Sequence, residues 1–147
     1  MRYRSLPRFP KKQQSPQVTN DTIRLCALSD IDDPGSHEFS WGEGDWPLPL
    51  FVVRRDGKVR GFVNRCPHAG HELNLLPNEF LTGDGELLMC RSHGARFRID
   101  DGFCVLGPCP GATLPRFAVE VVDGYVVAQR EELERVFTAF RSPYIDS

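Results

Sequence analysis

Two short Cys/His pairs constrain this chain more than any other feature. Cys66-Pro67-His68 is followed, with 21 residues in between, by Cys90-Arg91-Ser92-His93. Each pair offers one thiolate and one imidazole from a tight turn. Soft thiolate and borderline imidazole are ligands for zinc or iron–sulfur centres. If the four donors act together, two turns distant in sequence must meet in space.

The rest of the sequence reads as a scaffold for such turns. Gly and Pro make up 25 of the 147 residues, which favours short strands and tight turns. Candidate strands cover residues 22–27, 37–41, 50–55, 59–64, 87–90, 95–99, 117–122 and 125–128. Asp56-Gly57 and Asp123-Gly124 lie between strand pairs and are strong hairpin signals. Residues 32–35 and Asp101-Gly102 read as further turns. Many short strands at close spacing predict a mainly β, antiparallel sandwich or small barrel. In residues 131–140, Leu133, Val136, Phe137 and Phe140 fall at i, i+3, i+4 and i+7. That spacing predicts a short C-terminal helix with one apolar face, packed on its own sheet or, less simply, on a partner.

Length suits one domain able to bury a core without disulfide staples. Residues 1–20 hold Arg2, Arg4, Arg8, Lys11 and Lys12 and no acid, a charge of +5, so the remainder of this chain of net −2 carries −7. That stretch reads as a solvated, disordered leader, or as an arm for an acidic partner. No segment approaches the ~20 apolar residues of a membrane helix. The cations at the N-terminus are not followed by the apolar stretch of a secretory signal. A cytoplasmic location is expected, and there an odd count of five cysteines points to metal rather than disulfides.

The order of the donors discriminates between metals. Structural zinc sites usually pair Cys with Cys and His with His, whereas both pairs here are mixed. A mixed pair suits a dinuclear centre: two sulfurs hold one iron, two imidazoles the other, and each turn touches both. Neutral imidazoles in place of thiolates leave such a centre about two charges less negative and easier to reduce. A structural zinc site stays as the remote alternative.

Three stretches now carry a family resemblance. Cys66-Pro67-His68-Ala69-Gly70, Cys90-Arg91-Ser92-His93-Gly94-Ala95-Arg96-Phe97 and Gly107-Pro108-Cys109-Pro110 resemble those of Rieske ferredoxins and related Rieske domains. Arg24-Leu25-Cys26-Ala27-Leu28 with Asp30-Ile31 resembles the family's opening strand, so the likeness spans roughly residues 22–128. The resemblance implies one [2Fe–2S] cluster held by Cys66, His68, Cys90 and His93. It implies a Rieske-type sandwich over residues 21–129, with a cluster-binding subdomain inserted at about 65–110 and a helical extension at 130–147. It also implies a proline-rich loop over the cluster and imidazole edges of His68 and His93 facing solvent. Pro67, Ala69, Gly94 and Pro108 would form a small docking patch around them.

Departures from the respiratory branch are informative. His71 and Ser92 stand where that branch has its disulfide cysteines, and Ala95 and Phe97 where it has a serine and a tyrosine. Without those hydroxyls to stabilise the reduced state, a potential toward the low end of the Rieske range is expected. The chain has no second domain for a mononuclear iron and no dinucleotide fingerprint, so no catalytic site of its own is evident. The implied role is a soluble ferredoxin carrying single electrons from a reductase to a terminal oxygenase, such as an aromatic-ring hydroxylating one. A tightly held small subunit of a larger oxidoreductase, as in nitrite reductases, is the alternative. No nucleic acid or membrane partner is expected.

Other residues read more simply. His37, His71 and Cys26 are expected to be structural or surface groups. Cys104 and Cys109 read as small uncharged thiols and Trp41 and Trp46 as sheet-edge covers. Arg91, Arg96 and Arg98 are either solvated or placed to offset cluster charge.

Overall fold

The computed structural model describes residues 21–42, 44–45, 47–67, 72–108 and 111–140. The leader at 1–20, Trp46, His68, Ala69, His71, Cys109 and residues 141–147 lie outside them. Among the described residues the strands are β1 (Thr22–Ala27), β2 (Gly35–Trp41), β3 (Leu48–Arg55), β4 (Lys58–Val63), β5 (Leu87–Met89), β6 (Arg96–Arg98), β7 (Cys104–Leu106), β8 (Arg116–Phe117), β9 (Glu120–Val122) and β10 (Tyr125–Gln129). Among the described residues one α-helix, α1 (Arg130–Phe140), follows β10 directly, and one 3-10 turn (Leu28–Asp30) follows β1. Among the described residues no helix is long and apolar enough to cross a membrane.

The strands form three antiparallel sheets, ordered β1-β10-β9, β2-β3-β4-β8 and β5-β6-β7. The fold is therefore mainly β with one short helix. The two Asp-Gly pairs turn as expected. Asp56 and Gly57 have φ of 54° and 78°, Asp123 and Gly124 of 52° and 81°. Two consecutive positive φ values match the twist that a two-residue hairpin needs. The Asp33 carboxylate also accepts the Asp56 and Gly57 N–H groups, each at 2.8 Å, which pins the first hairpin to the preceding loop.

The middle sheet is a shared wall. Alternate side chains of a strand point to opposite faces. On β3, Leu48, Leu50 and Val52 enter one core with Val63, Val126, Leu133 and Val136. Phe51 and Val53 enter the other with Phe62, Cys66, Phe80, Cys90 and Phe97. The Phe51 and Phe80 rings stack at 3.9 Å between centroids, and Phe62 stacks on the other side at 5.5 Å. The first core belongs to the base and the second to the sheet β5-β6-β7.

The four apolar residues of the helix face do pack on the chain's own sheets: Leu133 and Val136 are buried, and Phe137 and Phe140 lie against the same core. Residues 117–122 are not one strand. The chain leaves the middle sheet after Phe117 and joins the outer one at Glu120. Glu132 of the helix makes the break, its carboxylate accepting the Ala118 N–H at 2.7 Å. Strand β7 was not anticipated, and β3 starts two residues earlier than expected, running through Pro49. Proline lacks an N–H, but its carbonyl serves the ladder side and accepts the Asn64 N–H at 2.9 Å.

Candidate metal centre

Cys66 sits just beyond β4. Cys90 and His93 occupy the turn between β5 and β6. That turn is closed by two backbone bonds, Cys90 N–H to the Ala95 carbonyl at 2.8 Å and Gly94 N–H to the Cys90 carbonyl at 2.9 Å. Gly94 has φ of 77°, a value that suits glycine, with open space where a Cβ would be. Cys66 and Cys90 are both fully buried and share one apolar core. His93, three residues on, is exposed. The two turns thus place their sulfurs inside and the described imidazole outside.

Ala95 and Phe97 lie at 0 % exposure in the core that holds both cysteines. They can shape the centre from beneath but cannot contribute to a docking surface. Pro67 and Pro108 are exposed and Gly94 is half-buried. Gly107 packs against the second turn: with φ of 106°, its backbone comes so close that a Cβ there would lie 2.6 Å from the Ala95 Cα. The residue before it, Leu106, is 56 % exposed, and Leu75 and Leu76, after the first ligand turn, are 73 % and 58 % exposed. Sequence reasoning passed over all three. Leucine next to a Gly-Pro loop was the available signal for Leu106.

The arginines near the second turn are mostly structural. Arg98 pairs with Asp101 at 2.5 Å and lies over the Phe103 ring at 4.8 Å. That pairing, with a hydrogen bond from the Phe103 N–H, holds the Asp101 carboxyl down at about 2. Arg91 donates to the Leu81 carbonyl at 2.7 Å. Arg96 is half-buried. In β1, burial and then the Asp30 charge push the Cys26 thiol up, which favours the inert thiol.

Two thiols and an imidazole are donors that suit zinc or iron–sulfur centres, and a thiol and an imidazole on the same turn fit a cluster that spreads its donors over two irons. Among the described residues no three His, Cys, Asp or Glu side chains converge closely enough to hold one metal ion.

Residues 21–132 match the Rieske [2Fe-2S] domain family, and the chain belongs to it. Such a domain binds one [2Fe–2S] cluster. No curated protein matches the chain in sequence. Solved structures do. The ferredoxin of carbazole 1,9a-dioxygenase from Nocardioides aromaticivorans IC177 is 20 % identical, with a TM-score of 0.58 over 74 % of this chain and 98 % of its own. A Sphingomonas yanoikuyae B1 ferredoxin is 25 % identical, with a TM-score of 0.56 over 74 % and 98 %. A chain from a complex of reduced oxygenase and oxidized ferredoxin in carbazole 1,9a-dioxygenase is 23 % identical, with a TM-score of 0.60 over 76 % and 94 %.

Proposed function

We propose that Cys66, His68, Cys90 and His93 hold the cluster, and that the chain is a ferredoxin passing single electrons from a reductase to a terminal oxygenase. The observation that carries this reading is the split at the ligand turns: both thiols fully buried, His93 exposed. When bound, the cluster supplies a site that takes up and releases one electron. The protein's residues do the rest. The buried thiols exclude water from one end and hold a fixed environment. His93, with His68 as its counterpart, offers a solvent-facing edge for electron exchange with another protein.

The surroundings support a brief contact. Pro67, Gly94, Pro108 and, newly, Leu106 supply small or apolar surface around the exposed edge, with Ala69 expected to join them. A patch of this kind suits the smallest class of interface, below about 1,200 Å², in which redox partners meet and part quickly. The fit to ferredoxins over nearly their whole length favours a carrier over a catalytic unit. A reducing, cytoplasmic setting accords with cysteines used as metal ligands.

The test is reconstitution. Protein purified without oxygen should be coloured and contain iron and acid-labile sulfide. Its reduced form should give an EPR signal that His93→Ser and His68→Ser each abolish or change in class. With a reductase and an aromatic-ring hydroxylating oxygenase, it should restore turnover and elute alone on gel filtration. A colourless protein without iron would refute the ligand assignment, and a stoichiometric complex would refute the free carrier.

A further inference from the structure

We infer that Asn64 is the positioning residue of the centre, holding both ligand turns in register through one backbone unit, Leu73. The inference rests on the ligand assignment above. Asn64 is a buried polar residue, 1 % exposed, two positions before Cys66. A polar side chain so placed costs free energy unless every donor and acceptor is matched. Here they are matched in a particular direction. Its Oδ1 accepts the Leu73 N–H at 2.8 Å, nine positions away, so the chain from Asn64 to Leu73 forms a closed loop containing Cys66. Leu73 is held from its other side too, its carbonyl accepting the Arg91 N–H at 2.8 Å. Arg91 lies between Cys90 and His93. One residue, Leu73, therefore links the end of the first ligand loop to the middle of the second, and the Asn64 carboxamide holds its N–H.

The carboxamide is itself anchored. Asn64 Nδ2 donates to Asn74 Oδ1 at 2.9 Å, and Asn74 Nδ2 donates to Glu38 Oε1 at 3.2 Å. Glu38 Oε2 accepts the Asn78 N–H at 2.9 Å, and Asn78 Oδ1 accepts the Glu38 N–H at 2.8 Å. Glu38 belongs to β2, so the chain of bonds ends on the middle sheet. The Asn64 N–H donates to the Pro49 carbonyl of the same sheet. A hydrophobic residue at 64 would fill the space and still leave the Leu73 N–H without its acceptor, freeing the loop.

The experiment compares Asn64→Ala, Asn64→Asp, Asn74→Ala and Leu133→Ala in the cluster-loaded full chain. Two readouts are taken: the rate at which a chelator bleaches the visible absorbance, and the EPR line widths after reduction. Losing one buried acceptor is expected to speed bleaching about tenfold in Asn64→Ala and to broaden the lines. Asn64→Asp keeps the acceptor for the Leu73 N–H but loses the donor to Asn74, so its bleaching rate should fall between those of wild type and Asn64→Ala. Asn74→Ala breaks only the outer link and should give a smaller change in the same direction. Leu133→Ala lowers stability from the other core, and should leave both readouts unchanged well below its melting temperature. Asn64→Ala indistinguishable from wild type, or Asn64→Asp as labile as Asn64→Ala, overturns the inference. If Asn64→Ala does not accumulate folded, an unchanged Asn74→Ala overturns it as well. Those results differ from a wild type that binds no iron, which would refute the ligand assignment itself.

Discussion

Replacing Ala95 with serine should raise the reduction potential. Ala95 is wholly buried in the core that holds Cys66 and Cys90, and the Gly107 backbone passes directly over it. Water does not reach it to compete for a hydrogen bond. A hydrogen bond to a charged acceptor is worth about 1.5–3 kcal/mol. For a one-electron couple 1.36 kcal/mol corresponds to about 59 mV. A bond made only in the reduced, more negative state would therefore raise the potential by about 65–130 mV. One made in both states but twice as strong in the reduced one would give about half as much. Protein-film voltammetry of Ala95→Ser should accordingly show an increase of about 30–130 mV, and Phe97→Tyr one of the same sign. Wild type should lie toward the low end of a range of roughly −150 to +300 mV. A loaded Ala95→Ser protein within about 10 mV of wild type, or a wild type above about +100 mV, would refute the reasoning.

Gly107→Ala should lift the loop from the site, because φ of 106° strains alanine and its Cβ would meet the Ala95 backbone. With about 1–3 kcal/mol of strain the melting temperature should fall by about 3–10 °C, with faster cluster bleaching. Gly94→Ala, also at positive φ but in open space, should be milder in both assays; equal losses would count against the close approach. The Arg98–Asp101 pair sets a pH dependence. Asp101 is depressed from 3.8 to about 2, so its contribution to stability is present above the ordinary aspartate range and is lost as pH falls from about 3.8 through about 2. The melting-temperature gap between wild type and Asp101→Asn should shrink over that interval and stay constant above it. A gap undiminished at pH 2 would exclude the pairing as its source.

Much of this architecture was legible in the residues, for reasons that can be named. Asp56-Gly57 and Asp123-Gly124 have a chemistry suited to positive φ at both positions, and α1 shows an unbroken apolar face. The ligand turns stood out because thiolate and imidazole recur at short spacing. What escaped was set by partners far along the chain. Residues 117–122 look like one strand until Glu132 takes the Ala118 N–H. Strand β7 is three residues with two exposed, too short for alternation to register. Pro49 reads as a breaker but sits where only its carbonyl is used. Asn64 ends an apolar strand without any mark of its role, which depends on Leu73 and Asn74 closing back on it.

The two-faced burial of β3 has a consequence for how such a chain can change. Even-numbered positions 48, 50 and 52 answer to the scaffold, while odd-numbered 51 and 53 answer to the redox half. Neighbours one peptide apart are thus subject to separate demands. Substitution at 48, 50 or 52 therefore meets the core under the helix, and substitution at 51 or 53 the core that holds Cys66 and Cys90.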